Sequence, residues 1–427
     1  MLRSIVEAFK VKELRNKILF TLTILALYRL GSFIPVPGIP FKAFADAYSE
    51  AGGAAMTMID VFSGGALSNF SVFALGIMPY ITASIIMQLM QSVIPAVGRW
   101  AREGETGRKK ITQTTRWLTL GLGLINAVGY LLLFQSDRYG LTFTTEMPYW
   151  LTSVLVVFTL VAGTAFIMWM GELITQRGVG NGMSLIIFTS IISRVPSAIF
   201  SSGTSTDDAG MNIAVTLLIL AVIVACIPAI IFMERAQRRI PVSYAKRVQG
   251  RKMMGGQSTY IPLKVNAAGV IPIIFASCLI YFPAQIAALF NVGWLDAFAN
   301  AISSGWLNWI LTFGLIIFFA YFYTSMVFNP QELSDNLQKQ GGFVPGIRPG
   351  TATVNYIKNV INHVTLPGAM YIGAVAVVPS ILFAFTNNYL IQAFGGTSIL
   401  IMIGVALDTM SKVESQLKMY NYDGFFK

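Results

Sequence analysis

Ten apolar runs, each long enough to cross a lipid bilayer, recur along this chain of 427 residues. An α-helix crosses a hydrocarbon core about 30 Å thick in ~20 residues. The composition agrees, since only 11 % of the residues are charged, whereas soluble domains carry roughly 25 %. Backbone that meets lipid must satisfy its own hydrogen bonds, which a helix does within one segment. The sequence therefore predicts an all-α polytopic membrane protein, with candidate spans at 18–34, 57–95, 116–135, 149–171, 182–200, 212–233, 268–290, 306–328, 366–386 and 393–411.

The second of these runs is interrupted at membrane depth. Between residues 56 and 90 it is broken by the Ser-Gly-Gly sequence at 63–65 and again by Pro79, and its one charged residue is Asp60. Non-helical backbone at this depth is tolerated only where it is buried in protein or lines a cavity. The interruption therefore predicts a pathway through the protein.

The distribution of basic residues predicts the orientation of the chain. Lysine and arginine are retained on the cytoplasmic side of a membrane. With ten spans and a cytoplasmic N-terminus, 26 of the 30 basic residues fall in cytoplasmic segments. The exceptions are Arg29 within a span and Lys42, Arg138 and Arg194 outside. Both termini are therefore predicted to be cytoplasmic.

Few ionisable residues lie within the predicted spans or directly beside them, among them Arg29, Asp60, Glu172 and Asp408. Arg29 either reaches an interface with its long side chain or pairs with a carboxylate inside the bundle. Glu172 and Asp408 lie toward cytoplasmic ends of spans, where we expect them to be solvated. A proton- or sodium-coupled transporter needs carboxylates and polar side chains near the midplane, so this scarcity argues against that class.

Residues for enzymatic or metal chemistry are also scarce. His363 is the only histidine and is predicted to be an ordinary loop residue, so neither a histidine-based metal site nor a Ser-His pair within the membrane can be built. Cys226 and Cys278 fall within spans and are expected to be small buried side chains, not a disulfide framework. We therefore expect no cofactor, no metal and no catalytic residue.

A pathway without polar coupling residues can be closed by apolar side chains, because a narrow hydrophobic constriction excludes water and ions. Ile77 and Ile81 lie four residues apart, on one helical face around Pro79, and suit such a closure. An isoleucine in a span more often faces lipid or the protein core. Spacing alone therefore leaves both interpretations open.

Two long cytoplasmic loops follow the sixth and eighth predicted spans. In the first, at 234–265, basic residues are interleaved with Ile240, Val242 and Tyr244, which predicts a hairpin. Its positive charge favours docking onto anionic lipid, nucleic acid such as ribosomal RNA, or an acidic protein surface. Charge that only sets the orientation is the alternative interpretation. The second loop, at 329–365, contains the sequence FVPGIRPG.

Several motifs in a fixed order resemble those of the SecY family, the channel subunits of bacterial Sec translocases, with eukaryotic relatives. The resemblance covers essentially the whole chain. The matching sequences are FSGGALS at 62–68, FALGIMPYI at 73–81, EGETGRKK at 103–110, GVGNG at 178–182, the basic loop at 234–247, KVNAAGVIPII at 264–274, FNP at 328–330 and FVPGIRPG at 343–350.

The resemblance implies two five-span halves, at 1–200 and 201–427, related as an inverted repeat around a central hourglass pore. It implies a protein-conducting channel, not an enzyme, that passes unfolded secretory polypeptides across the bacterial cytoplasmic membrane. A ring of apolar side chains closes the waist of the pore. By motif, the ring residues are Ile77, Ile81, Met183, Ile187, Ile274 and Ile401. Met183 departs from the usual branched aliphatic residue, although methionine is deformable enough to seal.

The resemblance also implies a movable plug, a small-residue helix at about 57–69 on the outer side of the ring. Its residues include Asp60, Phe62, Ser63, Gly64, Gly65, Leu67 and Asn69. Asp60 has no evident partner in the sequence, and we expect it to face a watery outer funnel. A lateral gate, between the second and third spans on one side and the seventh and eighth on the other, would release signal sequences and transmembrane segments into lipid.

The partners implied by the resemblance are SecE, which clamps the two halves, SecG, the SecA motor ATPase, the ribosome, the unfolded substrate and membrane lipid. SecA and the ribosome would dock on the two cytoplasmic loops, at about 234–265 and 329–365. The residues expected to carry this docking are Arg235, Arg238, Arg239, Lys246, Arg247, Arg251 and Arg348. A solute transporter and a membrane-embedded enzyme are the rival classes. The first would need a polar site at mid-membrane, and the second a nucleophile or paired carboxylates.

Overall fold

The structure is a computed structural model that describes residues 7, 9–39, 60, 62–135, 148–203, 221, 224–244, 247–249, 252–254, 258–266, 268–290, 297–298, 301–302, 305–386 and 395–423. Within these residues the chain is mainly α-helical. The helices before residue 204 are α1 (Lys12–Gly31), α2 (Met78–Val93), α3 (Pro95–Arg102), α4 (Glu105–Gln135), α5 (Tyr149–Arg177) and α6 (Gly182–Gly203).

The second part of the chain combines helices with short strands. A helical segment at 224–235 precedes the strands β1 (Gln237–Tyr244), β2 (Arg247–Gln249), β3 (Lys252–Met254) and β4 (Ser258–Lys264). The elements that follow are α7 (Ile271–Phe290), α8 (Gly305–Val327), α9 (Pro330–Lys339), β5 (Gly342–Phe343), α10 (Thr351–Thr386) and α11 (Gly396–Asp423).

Helices cover at least part of each predicted span. Among the described residues, four helical stretches are long and apolar enough to cross a membrane: Tyr149–Arg177, Gly305–Lys339, Thr351–Leu382 and Gly396–Tyr420. Helices α2 and α3 pass the same test together but are bent by 100°. The bend falls at Ile94, which is extended, with φ −101° and ψ 112°, because a residue before proline avoids the helical conformation.

The largest hydrophobic cluster lies where helices from both parts of the chain meet. It contains buried side chains from α1, α2, α5, α6, α7, α8, α10 and α11. Helix α11 packs along α6, while α7 packs along α4 and contacts α2. Helices in lipid associate through close packing. The two parts of the chain therefore share one continuous apolar core.

The two long loops fold together into one small sheet. Strands β1 and β4 form an antiparallel hairpin, with Ile240 opposite Ile261, so the hairpin predicted from alternation is confirmed. Strand β5, from the second loop, pairs with the other edge of β1. We call the described residues of 237–264 and 342–350 the loop platform. The joining of the two loops into one unit was not predicted from the sequence.

Apolar side chains inside the loop platform connect it to the neighbouring helices. Ile240 packs with Leu263 and Val344, and Val242 packs with Leu337 of α9 and Ile357 of α10. The Phe-Asn-Pro motif at 328–330 starts α9, because the Asn329 side chain accepts the backbone N–H groups of the first turn and Pro330 follows it. The platform is therefore fixed to the ends of the long helices.

Candidate functional site

The interrupted apolar stretch forms a mostly buried, non-helical segment at 64–77. Its backbone bonds partly to itself and partly to the chain that follows α1. The Val36 N–H donates to the Phe70 carbonyl over 3.0 Å, and the Val72 N–H donates to the Ile34 carbonyl over 2.9 Å. Backbone polar groups in this region are therefore satisfied by protein, as membrane depth requires.

The helix predicted at 57–69 is shorter than expected. Residues 57–59 and 61 lie outside the described residues, and 60, 62 and 63 are helical. Gly64 and Gly65 then take φ of +70° and +87°, a left-handed conformation that glycine adopts without strain and that ends helices. The Gly65 N–H donates to the Asp60 carbonyl over 3.1 Å. The prediction of a helix as far as Asn69 is therefore wrong, and residues 64–70 form turns.

The described residues of 60–69, which we call the plug segment, approach α6 at a glycine. A Cβ atom at Gly64 would lie 2.9 Å from Cα of Ser190, which is closer than a real Cβ contact. Gly76 has φ of +56°, and a Cβ there would lie 3.3 Å from Cα of Ser63. Glycine at these positions lets the chain fold back on itself and lie against α6.

Polar groups from α1 and α6 hold the plug segment. The Tyr28 hydroxyl lies 2.7 Å from Oγ of Ser190 and 3.4 Å from the carbonyl oxygen of Ser63. Arg29 Nη1 donates to the carbonyl oxygen of Gly64 over 2.6 Å. Arg29 was predicted either to reach an interface or to pair with a carboxylate inside the bundle. It does bond inside the bundle, but its acceptor is a backbone carbonyl of the plug segment and not a carboxylate.

Asp60 does not face a watery funnel. It is 1 % exposed, and its Oδ1 accepts from the backbone N–H groups of Leu67 and Ser68 over 3.1 and 3.0 Å and from Ser63 Oγ over 3.1 Å. Its Oδ2 forms an ion pair with Arg194 of α6. The expectation of an unpaired, solvated carboxylate is therefore wrong. A buried carboxylate is stable only when charged and hydrogen-bonding partners surround it.

The six predicted ring residues lie in one apolar cluster, and each is at most 9 % exposed. They come from different elements: Ile77 and Ile81 from the start of α2, Met183 and Ile187 from α6, Ile274 from α7 and Ile401 from α11. Phe62 and Ala66 of the plug segment belong to the same cluster. Apolar side chains from both parts of the chain and from the plug segment therefore meet in one place, which is an arrangement that can exclude water and ions.

The turn at 178–182 sets the position of Met183. A Cβ at Gly182 would lie 1.9 Å from the carbonyl oxygen of Gly171, and one at Gly171 would lie 2.4 Å from the Met183 sulfur. Glycine at both positions lets α5 and α6 touch and gives the thioether its space. The Val179 N–H donates to Thr21 Oγ1 over 3.1 Å, which ties the turn to α1.

Of the four helices in the predicted lateral gate, α7 packs along α4 and contacts α2. The thiol of Cys278 on α7 interacts there with the Thr82 side chain on α2. Cys278 is buried, as expected, but Cys226 is exposed, so the expectation of two buried cysteines is wrong for one of them. Side chains of an apolar helix can face lipid without cost, which explains the exposure.

The predicted docking residues fall on or beside the loop platform. Arg235, Arg238 and Arg239 are exposed, and the Arg239 guanidinium lies 4.7 Å from the centre of the Tyr260 ring. Arg247 lies in β2, and Lys246 and Arg251 lie outside the described residues. Arg239 points away from the interior because it alternates with Ile240 and Val242, which face inward, while Arg238 is exposed near the start of the strand.

Arg348 is exposed near the end of the loop platform. Its carbonyl oxygen accepts the hydroxyl of Thr353 over 2.9 Å, and Gly346 and Gly350 on either side have φ of +81° and +102°. The backbone at Arg348 is therefore fixed by a tight turn and by the first turn of α10, while its side chain is free to meet solvent or a partner.

Two carboxylates near helix ends differ in their surroundings. Glu172 on α5 accepts from both Nε, over 2.8 Å, and Nη2 of Arg116 on α4, so the expectation that Glu172 is simply solvated is wrong. Asp408 is exposed and pairs with Lys412 over 2.8 Å, which agrees with a solvated position. A bidentate arginine–carboxylate pair fixes orientation as well as charge, so Arg116 and Glu172 hold α4 against α5.

Glu234 lies at the joint between the helical segment 224–235 and the loop platform. It lines a cavity of about 460 Å³ between the two parts of the chain, and burial raises the pKa of its carboxyl. The Asn266 amide donates to Glu234 Oε1 over 2.6 Å and to the Gly269 carbonyl over 3.1 Å. Asn266 therefore ties the end of one helix to the turn that begins α7.

Sequence reasoning missed the partners of the plug segment: Tyr28, Ser190 and Arg194. A signal for the last of these is visible in the sequence. Asp60 is the only charge in the interrupted run, and Arg194 is one of the few basic residues on the non-cytoplasmic side of the predicted topology. Two exceptions of opposite sign, both predicted near the same membrane surface, are candidates for an ion pair.

The chain is similar to known proteins both in sequence and in structure. The SecY family model matches residues 71–410. "Protein translocase subunit SecY" of Streptomyces scabiei is 44 % identical over 452 residues, covering 100 % of each chain. The protein of the same name from Halalkalibacterium halodurans is 46 % identical over 439 residues, again covering 100 % of each chain.

Three solved structures are similar in fold. One is described as a protein conducting channel, with a TM-score of 0.62 and 18 % identity. Another is Sec61 in the canine ribosome-channel complex from the endoplasmic reticulum, with a TM-score of 0.59 and 17 % identity. A third, with a TM-score of 0.58 and 17 % identity, is described by the statement that the plug domain of SecY stabilises the closed state of the translocation channel and maintains a membrane seal. Each match covers 93 % of this chain and 91 % of the other. At this identity the likeness is one of fold.

Proposed function

The chain belongs to the SecY family, and we propose that it forms the protein-conducting channel through which unfolded secretory polypeptides cross the bacterial cytoplasmic membrane. Family membership over the full length makes it a membrane-embedded translocase subunit and not an enzyme. The observation that carries the proposal is the apolar cluster in which the six ring residues from four helices meet the plug segment. The six ring side chains are apolar, so they can close a path to ions when they touch and open it when they separate.

The architecture that we propose has ten spans in two halves, at 1–200 and 201–427, with both termini in the cytoplasm. Helices at every predicted span support the count. The concentration of basic residues in alternate loops supports the orientation. In this arrangement the plug segment lies on the outer side of the ring and the loop platform lies in the cytoplasm.

The seal consists of Ile77, Ile81, Met183, Ile187, Ile274 and Ile401, supported from outside by the plug segment with Asp60, Phe62, Ser63, Gly64, Gly65, Leu67 and Asn69. The described neighbour in which a plug domain maintains a membrane seal is a precedent for this division of roles. Burial of every ring residue supports a closed arrangement.

Sideways release of apolar segments would occur at the seam between α7 and the pair α2 and α4. Apolar side chains of α2 and α7, such as Ile85 and Phe275, belong to one buried cluster here, and Thr82 and Cys278 add a weak polar contact. Separating such a seam exposes a passing segment to lipid, and a sufficiently apolar segment partitions there through the hydrophobic effect. Signal sequences and transmembrane segments are the substrates for this exit.

The loop platform is the proposed docking surface for the SecA motor and for the ribosome. Its outward arginines, including Arg238, Arg239 and Arg348, match the acidic protein surfaces and phosphate groups that such partners present. The canine neighbour assembles with a ribosome, which supports the second of these partners. SecE would clamp the two halves, and SecG would join the complex at the membrane.

A photo-crosslinking experiment tests the channel. A crosslinking amino acid is placed at Ile77 or at Ile274, and a secretory polypeptide is stalled during export. We expect both positions to capture the polypeptide, whereas the same group at Phe158, which is 74 % exposed on α5, should capture lipid and no polypeptide. Failure at both ring positions while export proceeds would overturn the proposal, and so would equal capture at Phe158.

A further inference from the structure

Asp60 and Arg194 form a charged contact between the plug segment and the bundle that supports it. Asp60 precedes the turn at Gly64 and Gly65, and Arg194 lies on α6. The sum of their charges is zero, and the carboxylate is almost fully buried. The contact thus joins the part of the chain that would move to a helix that would stay.

The hydrogen bonds of the Asp60 carboxylate divide between these two parts. Oδ1 accepts from three described residues of the plug segment, Ser63, Leu67 and Ser68. Oδ2 faces Arg194. Arg194 Nη2 also lies 3.4 Å from Ser68 Oγ. The internal bonds would travel with the plug segment as one unit, whereas the bond through Oδ2 would have to break.

Breaking an ion pair at a buried site has a different cost from breaking the other contacts of the plug segment. The contacts of Tyr28 and Arg29 use backbone carbonyls, which water can satisfy after separation. Asp60, whose side chain is 2 % exposed, would lose the charge that compensates it, whereas Arg194, at 29 % exposed, already meets solvent. The ion pair is therefore the contact that most strongly favours the seated position over any displaced one.

We infer that Arg194 is the positioning residue of the plug, which it holds seated through Asp60. Opening therefore requires the Asp60–Arg194 pair to separate into a space that can hydrate both charges. The inference rests on the proposed channel function, because a plug has meaning only in a channel. According to this inference, the Asp60–Arg194 pair sets the equilibrium between the seated and the displaced position of the plug segment, and so between a closed and an open channel.

The test measures ion leak through the translocase complex reconstituted in lipid vesicles, without substrate. Arg194→Gln leaves the buried Asp60 without its charge partner, and we expect the leak to rise by at least about tenfold, since a modest change in the free energy between two states shifts their populations by that factor. Arg194→Lys keeps the charge and should remain within about threefold of the unaltered channel. Asp60→Asn should fall between these two.

The double variant Asp60→Asn with Arg194→Gln separates a specific pair from general damage. Asparagine keeps an oxygen for the N–H groups of Leu67 and Ser68, and the uncompensated buried charge is gone. We therefore expect the double variant to leak less than Arg194→Gln alone, because removing both partners of a buried pair costs less than removing one. Additive leaks in the double variant would contradict the inference.

Glu172→Gln is the matched control, because Glu172 and Arg116 form another ion pair between elements of the first half, away from the plug segment. This variant should leave the leak unchanged. Polypeptide capture at Ile274 is measured in every variant. If both Arg194→Gln and Glu172→Gln captured polypeptide normally and leaked ions equally, the role of Arg194 would be overturned, while the proposed channel function would stand. Loss of capture in the unaltered protein would instead overturn the channel function itself.

Discussion

The plug segment and the loop platform are two regions of a mainly helical protein that lie outside its long helices, and they differ in whether charged side chains are buried or exposed. In the plug segment a carboxylate is inside, enclosed by N–H groups and Arg194. In the loop platform the apolar Ile240 and Val242 are inside and the arginines face outward. A buried charge is satisfied only by specific partners in specific positions, whereas an apolar interior tolerates small shifts. The first region is thus suited to holding one position, and the second to presenting charge to partners.

From this comparison we expect that adding a single carbon atom disturbs the plug segment more than it disturbs the loop platform. Gly64→Ala adds a Cβ in a left-handed conformation and only 2.9 Å from Cα of Ser190. The left-handed backbone costs roughly 1–2 kcal/mol, and the clash adds about 1–3 kcal/mol. We expect unseating of the plug segment, measured as ion leak in vesicles together with a lower unfolding temperature.

Gly104→Ala is the matched control for this variant. Gly104 has nearly the same backbone conformation, with φ +71°, but a Cβ there would meet nothing within 4 Å. The Gly104→Ala variant should therefore be destabilised only by the left-handed backbone conformation, and its channel should remain closed to ions. If both variants leaked to the same extent, contact with α6 would not be what holds the plug segment.

The differing success of sequence reasoning in these two regions has the same origin. Alternation of Ile240 and Val242 with polar neighbours is a local pattern, and the β-hairpin followed from it. The pairing of β5 with β1 joins residues about a hundred positions apart, and no local pattern encodes it. The helical spans were predictable because lipid imposes one solution on every apolar run.

The candidate site was predictable in its apolar part only. Family motifs indicated six candidate ring residues, and all six are buried in one cluster, while their role as a ring stays a prediction. The surroundings of Asp60 were predicted wrongly, because its partner lies 134 positions later on another helix. The same limit applies to Glu172, whose partner Arg116 belongs to the preceding long helix. Burial of a charge depends on tertiary contacts, which a single sequence does not reveal.

Charge reversal on the loop platform should affect partners and not the seal. We expect Arg348→Glu to lower SecA-driven export by about tenfold, because a like charge facing an acidic partner disfavours docking by amounts of this order. Complex assembly and ion leak should be unchanged, since the side chain is exposed and its backbone bond to Thr353 remains. Lys109→Glu, an exposed position on α4 outside both docking loops, is the control. Normal export by Arg348→Glu would exclude this arginine from docking.

The smallest expected effect concerns Glu234, which lies where the loop platform joins the membrane helices. Burial raises the pKa of this carboxyl above its ordinary value of 4.5, although the Asn266 hydrogen bond and the charge of Lys264 act in the opposite direction. A raised pKa means that the folded protein binds the proton more tightly than the unfolded chain does. The stability contributed by that proton is complete below the ordinary value and is lost as the pH rises through the raised pKa.

Thermal unfolding of the purified complex at several pH values above 4.5 measures this contribution at Glu234. The midpoint should fall slightly as the pH rises, and Glu234→Gln should flatten that part of the profile, because glutamine still accepts from Asn266 without becoming charged. Asp408→Asn, at an exposed carboxylate paired with Lys412, should leave the profile unchanged. An unaltered slope in Glu234→Gln would mean that the joint does not sense this proton. In that case the platform and the membrane helices would be linked by the apolar contacts of Val242 and Ile357. The joint would then resemble the interior of the platform, which depends on apolar packing, and differ from the plug segment, which depends on a buried charge.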